Sequence, residues 1–170
     1  DVYTIRMLYV GIDLVTYLCR FILAESNQDL KRLNASNQTI EAKFNVLAYT
    51  TCVVNFGTME PGKMIDRATV YRIERVFEKC RQYIAEYQQM PEHKHKSIVV
   101  SCVATAALRF TPQAQEIVDK VYNKFGIKIE VISSEREIYL AALGCQDQID
   151  KQALVLEVGS GSTEIAYIVR

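Results

Sequence analysis

The 170 residues carry 49% apolar and 24% charged side chains, an ordinary globular composition that excludes disordered, collagen-like and low-complexity classes. With 20 Lys plus Arg against 20 Asp plus Glu the formal net charge is zero, so no global field concentrates nucleic acid and a polyanion has to be held by a local site. The longest apolar runs, such as 98–100 and 153–156, fall far short of the roughly 20 residues of a membrane span, and a soluble chain without a membrane partner is expected.

In chain order, residues 7–14 and 18–24 are apolar runs, 25–38 reads as turns and an exposed strand, and 44–56 is rich in Val, Tyr and Thr, as strands are. Three strands joined by short polar turns predict an antiparallel meander. After Pro61 and Gly62 the period changes from two to 3.6. Ile65, Ile73, Val76, Phe77, Cys80, Ile84 and Tyr87 share one helical face, and Arg67, Arg72, Arg75, Glu78 and Glu86 point away, in a long helix that ends before Pro91. His93, Lys94, His95 and Lys96 read as a solvated loop in preference to a metal or anion site. Residues 98–103 are expected to form a strand buried on both faces. Thr111 as N-cap and Pro112 at the first helical position announce a second helix that stops at Gly126. A strand at 128–132, a helix at 134–143 closed by Gly144, and strands at 153–158 and 164–169 complete the order.

This succession predicts the α/β class, with a ribonuclease-H-like, mixed five-stranded sheet and flanking helices. The closing strand-loop-strand repeats the opening pattern, with Asp13 and Glu157 near equivalent strand ends. It is therefore expected to start a second, similar domain, which divides the chain into 1–146 and 147–170. The five cysteines, Cys19, Cys52, Cys80, Cys102 and Cys145, lie in apolar stretches without a C-x-x-C pair, and read as buried free thiols of a reducing cytoplasm. No secretion signal is visible. The start at Asp1 rather than Met points to a piece of a longer protein.

The loop Gly159, Ser160, Gly161, Ser162, Thr163 has the composition of a phosphate cradle, because glycines let the backbone approach an anion while N–H groups and hydroxyls donate to it. A tight hairpin turn is the alternative. Asp13 and Glu157 suit either a divalent cation or turn formation. Arg109, placed after a strand at the ligand-bearing edge of the sheet, suits bidentate phosphate binding or a plain surface role. Ser134 and Glu137 have the spacing of a helix capping box.

The runs Val103-Ala104-Thr105-Ala106-Ala107-Leu108-Arg109, Phe125-Gly126-Ile127-Lys128-Ile129-Glu130-Val131-Ile132-Ser133, then Glu137 and Gly144, then residues 154–165, resemble the exopolyphosphatase and guanosine pentaphosphate phosphohydrolase family, a branch of the actin-like ATPase superfamily. Gly11-Ile12-Asp13-Leu14 looks like the start of its first strand and phosphate loop, and residues 62–77 like its long helix. The resemblance implies Glu137 as the base that activates water, Arg109 on the phosphate channel, and Gly159, Ser160, Gly161, Ser162 and Thr163 as the second phosphate loop. It further implies Asp13, Glu157 and Glu164 beside Mg2+ or another divalent cation. Polyphosphate or guanosine penta- or tetraphosphate is the implied ligand, and a cytoplasmic homodimer the implied setting. Where the family has Gly-Ser-Asn-Ser after the first aspartate, this chain has Val15-Thr16-Tyr17-Leu18, which keeps only the Thr16 hydroxyl as a donor. The implied activity is terminal phosphate removal, weakened by that loop, and the alternative is a phosphate-binding regulatory domain without turnover.

Overall fold

Alternation of apolar and polar side chains decides the first sheet. The computed structural model describes residues 7–26, 44–57 and 60–169. Strands β1 (Met7–Leu14), β2 (Leu18–Ser26) and β3 (Asn45–Val53) form the expected meander. β4 (Ile98–Ala104) and β5 (Ile129–Val131) add to it in parallel, in the order β3-β2-β1-β4-β5. Leu8, Val10, Ile12 and Leu14 of β1 and Cys19, Phe21 and Leu23 of β2 point to one face and are buried. Against them pack α1 (Arg67–Gln89) through Ile73, Val76, Phe77 and Cys80, and α3 (Ala114–Phe125) through Ile117 and Val121. Each such side chain contributes about 1.5 to 3 kcal/mol relative to exposure. The two helices are tied to each other by Lys120 and Lys124, which meet Glu74 at 2.7 and 2.6 Å, and by the Phe77 and Phe125 rings.

This mixed sheet is the ribonuclease-H-like arrangement of the α/β class. Between β4 and α3 runs a single helical turn, α2 (Ala106–Arg109). After β5, α4 (Ser134–Gly144) crosses the opposite face of the sheet, where Leu140 stands over Gly11, Asp13 and Val103. A 3-10 turn (Gln146–Gln148) leads to a separate antiparallel pair, β6 (Gln152–Val158) and β7 (Thr163–Val169), which packs on α4. Among the described residues no helix is long and apolar enough to cross a membrane.

Several local expectations are corrected. β4 is not buried on both faces: Ser101 is open and Val99 and Val103 are only half-buried on the face that α1 and α3 leave uncovered, and Val100, near the start of the strand on the covered face, is 39% exposed. Pro112 lies in a turn before α3, which starts at Ala114 with Gln113 at its cap position, and the Thr111 hydroxyl accepts from Gln113 N instead. The loop at 93–96 is not simply solvated, since His93 is buried and Lys96 bonds both Glu25 and His93 Nδ1. Cys145 is exposed and Cys52 half-buried; all five cysteines are free thiols. Of the expected exposed strand at 25–38, Glu25 and Ser26 belong to β2 and the remainder lies outside the described residues. α4 runs through Gly144 and ends on Cys145, while Gly126 does close α3, at φ 70° in the left-handed region.

Candidate active site

The C-terminal ends of β1 and β4, the start of α4 and the β6–β7 hairpin surround a cleft of about 300 Å³. A second hollow of about 270 Å³ shares Val15, Thr105, Glu137 and Glu157 with it. Glu137 reaches this cleft because the helix cap is one residue earlier than the spacing suggested. Ser133, not Ser134, is the N-cap; its hydroxyl accepts from Arg136 N at 3.3 Å, so no capping box engages Glu137. Freed from the backbone, the Glu137 carboxylate turns inward, is buried, and accepts from Arg109 Nη1 at 3.0 Å. Burial pushes its carboxyl above the ordinary value of 4.5, Arg109 pulls it down, and the Glu164 carboxylate pushes it up again.

Arg109 closes α2. Its Nη1 also donates to the Ile132 carbonyl at 2.8 Å, and its Nη2 stands 3.6 Å from Glu164 Oε1. The side chain is held between the end of β5 and the hairpin, and is not a surface arginine. Glu157 and Glu164 are directly opposed in the β6–β7 ladder. Like charges in that register are destabilising, yet both face inward toward Glu137. One oxygen of each of Glu137, Glu157 and Glu164 lies within 4.8 Å of the other two. Burial and the neighbouring carboxylates raise the Glu157 carboxyl above its ordinary value. Asp13 does not join this group of three; Arg20, its partner across the β1–β2 ladder, binds its Oδ2 at 2.8 Å.

The loop at 159–163 is closed by a bond from Gly159 N to Ser162 O at 2.9 Å. The N–H groups of Ser160, Gly161 and Ser162 meet no main-chain carbonyl among the described residues, and all three residues line the cleft. Thr163 is exposed and does not. Opposite stands the 15–18 turn, in which Val15 N bonds Leu18 O and the Thr16 and Tyr17 carbonyls are taken by the N–H groups of Val54, Asn55 and Phe56. The two loops touch. A Cβ on Gly161 would overlap Thr16 Oγ1 and come within 3.2 Å of the Ala106 Cβ, so only glycine fits there. Thr16 itself is buried.

Arg20 and Thr105 also line the cleft, and neither was singled out from the sequence. Arg20 had a signal: it and Asp13 are opposite charges placed symmetrically about the 15–18 turn. Thr105 had none, since a buried hydroxyl at the start of α2 looks like any helix cap; its side chain makes no cap bond.

A mixed sheet with a cleft between strand ends and a glycine-serine hairpin defines the actin-like ATPase fold. Residues 64–170 match the model of the Ppx/GppA phosphatase family, and the chain belongs to that family. It is similar to the bifunctional 3-dehydroquinate synthase/phosphatase of Fusobacterium nucleatum, at 27% identity over an alignment of 168 residues, with 96% of this chain and 23% of that protein covered. The PPX-GPPA enzyme of Aquifex aeolicus shares its fold with a TM-score of 0.71 at 21% identity, over 96% of this chain and 49% of that one. An exopolyphosphatase from Cytophaga hutchinsonii does so with a TM-score of 0.72 at 20% identity, over 95% of this chain and 46% of that one. The chain spans about half the length of these solved structures.

Proposed function

We propose that this chain carries the catalytic face of a phosphohydrolase that removes a terminal phosphoryl group from a phosphoanhydride, inorganic polyphosphate or guanosine pentaphosphate, by attack of water. One observation carries the reading: a buried Glu137 carboxylate, held by Arg109 at 3.0 Å, faces unbonded N–H groups of the 160–162 loop across a cleft. Glu137 is the base that takes the proton of the attacking water. The N–H groups of Ser160, Gly161 and Ser162, with the Ser160, Ser162 and Thr16 hydroxyls, hold phosphate oxygens, and Arg109 offsets charge that builds up on them. Thr163 would act through the loop's conformation.

Residues of this chain fit a divalent cation. Glu157 Oε2 and Glu164 Oε2 are buried without a hydrogen-bond partner, and with Glu137 they form a set of hard oxygen donors of the kind Mg2+ takes. Glu157 and Glu164 would hold the ion, and Asp13, which lines one hollow with Glu137 and Glu157, would border it. Such an ion neutralises phosphate charge when bound. The division into 1–146 and 147–170 belongs to this proposal, the cleft lying between the two parts, as do a cytoplasmic location and a homodimer.

Phosphate release from polyphosphate and from guanosine pentaphosphate, with and without Mg2+, on the full-length protein tests the reading. Release that is lost in Glu137→Gln supports it. Calorimetric binding of guanosine tetraphosphate without any release would favour the regulatory alternative, in which the Val15-Thr16-Tyr17-Leu18 turn has removed turnover.

A further inference from the structure

Four cysteines gather under the C-terminal half of β3 and the middle of α1. Cys19 on β2 and Cys52 on β3 are directly opposed in the antiparallel ladder, which puts their Cα atoms about 5 Å apart, a separation that a disulfide spans. Cys80 on α1 and Cys102 on β4 lie in the same buried cluster as Cys19. Cys19, Cys80 and Cys102 are buried, but Cys52 is half-buried and lines an open groove of about 390 Å³ between α1 and the edge strand.

The walls of that groove are cationic. Arg72 is committed to the carbonyls of Val54 and Asn55 and to the Thr69 hydroxyl, whereas Arg75 touches only Glu78 at 3.2 Å and Lys79 has no ion-pair partner among the described residues. A partly exposed thiol beside cations is the setting in which cysteines react, and Lys79, with Arg75 next to it, favours an anionic reagent over a neutral one.

We propose that Cys52 is a thiol-modification site for anionic small-molecule disulfides, with Cys19 as its resolving partner. Cys52, after giving its proton to solvent, attacks one sulfur of the reagent; a mixed disulfide forms and one thiolate leaves. Cys19 then attacks Cys52 Sγ, its proton passes to the departing sulfur, and the second half of the reagent leaves as a thiol. Two protein thiols are oxidised to one disulfide, and the reagent disulfide is reduced to two thiols. The bond pins β3 to β2 one residue before Arg20, whose guanidinium lines the phosphate cleft.

Oxidised glutathione is the probe, and Cys145→Ser is the background, because Cys145 is exposed and reacts independently. Peptide mapping of the treated native protein is expected to show Cys19 linked to Cys52, reversed by dithiothreitol. Cys19→Ser should stop at the glutathione adduct on Cys52. Arg75→Ala with Lys79→Ala should slow the reaction about threefold or more with oxidised glutathione and leave that with neutral 2-hydroxyethyl disulfide unchanged. The proposal is overturned if the native protein carries no adduct or link at Cys52, or if the link joins another pair. Mapping of the parent protein decides this without any variant having to fold, and it is independent of phosphate release.

Discussion

Arg109 Nη1 donates both to Glu137 Oε2 at 3.0 Å and to the Ile132 carbonyl at 2.8 Å. One cation thus fixes the orientation of a carboxylate 28 residues further along the chain and ties it to the main chain just ahead of α4. Arg109 Nε and Nη2 are buried without hydrogen-bond partners, Nη2 standing 3.6 Å from Glu164 Oε1, and Arg109 backs the cleft without being among the residues that line it.

If Glu137 is the base, Glu137→Gln lowers phosphate release by about 10² to 10⁴-fold, with the melting temperature unchanged or raised because a desolvated charge is gone. Only the ionised carboxylate accepts a proton, and burial lifts its carboxyl above 4.5. The wild-type rate therefore rises with pH through a midpoint above that of an ordinary glutamate. Initial rates across pH 4 to 9 measure both.

Arg109→Ala leaves Glu137 and Glu164 buried without their cation. The loss is about 3 kcal/mol at neutral pH, and it shrinks in acid as the orphaned Glu137 carboxylate, already raised by burial, takes up a proton. Urea unfolding at pH 7 and at pH 4.5 compares the two conditions.

Glu157 gives the opposite sign. Its carboxyl is raised in the folded protein by burial and by Glu137 and Glu164. Below its ordinary value of 4.5 it is protonated in both folded and unfolded chains and has no effect. Above that value the unfolded chain ionises first, and the penalty on the native state grows with pH until the folded carboxyl has ionised too, beyond which it stays at its full value. Glu157→Gln is expected to raise the melting temperature at pH 7 in divalent-free buffer and to leave it unchanged near pH 4. Added Mg2+ should stabilise the wild type and not the variant.

Gly161→Ala forces a methyl group into Thr16 Oγ1, Thr16 Cβ and Ala106 Cβ, and costs about 1 to 3 kcal/mol. Thr16→Ala in the same chain recovers part of it, and a double-mutant cycle reads the coupling. Gly144→Ala, with nothing within 4 Å of the added methyl in the last turn of α4, gains about 0.5 to 1 kcal/mol. Thermal unfolding of both variants gives the contrast.

Much of the fold was legible in the sequence because hydrophobic period is a local property. The alternation in β1 and β2 and the 3.6-residue stripe Ile73, Val76, Phe77, Cys80 name their own elements and buried faces. Errors fell where two local signals compete. Thr111 and Pro112 have the chemistry of a helix start, but the chain spends them on a turn before α3. Ser133 and Ser134 are both competent caps, and which one serves depends on where β5 delivers the chain. His93 and Lys96 look solvated until Glu25, 71 residues from Lys96, packs against them.

The sequence by itself determined the α/β order of elements, the resemblance to a phosphatase family and the candidate loop at 159–163, since each rests on neighbours within a few residues. Only the tertiary structure decided that Glu137, rather than Asp13, joins Glu157 and Glu164, and that Thr16 closes on Gly161. Those relationships arise where a parallel crossover, a helix and a hairpin converge, and the register of the β1–β2 ladder commits Asp13 to Arg20. Contacts between residues this far apart are set by packing of whole elements, and no local pattern encodes them.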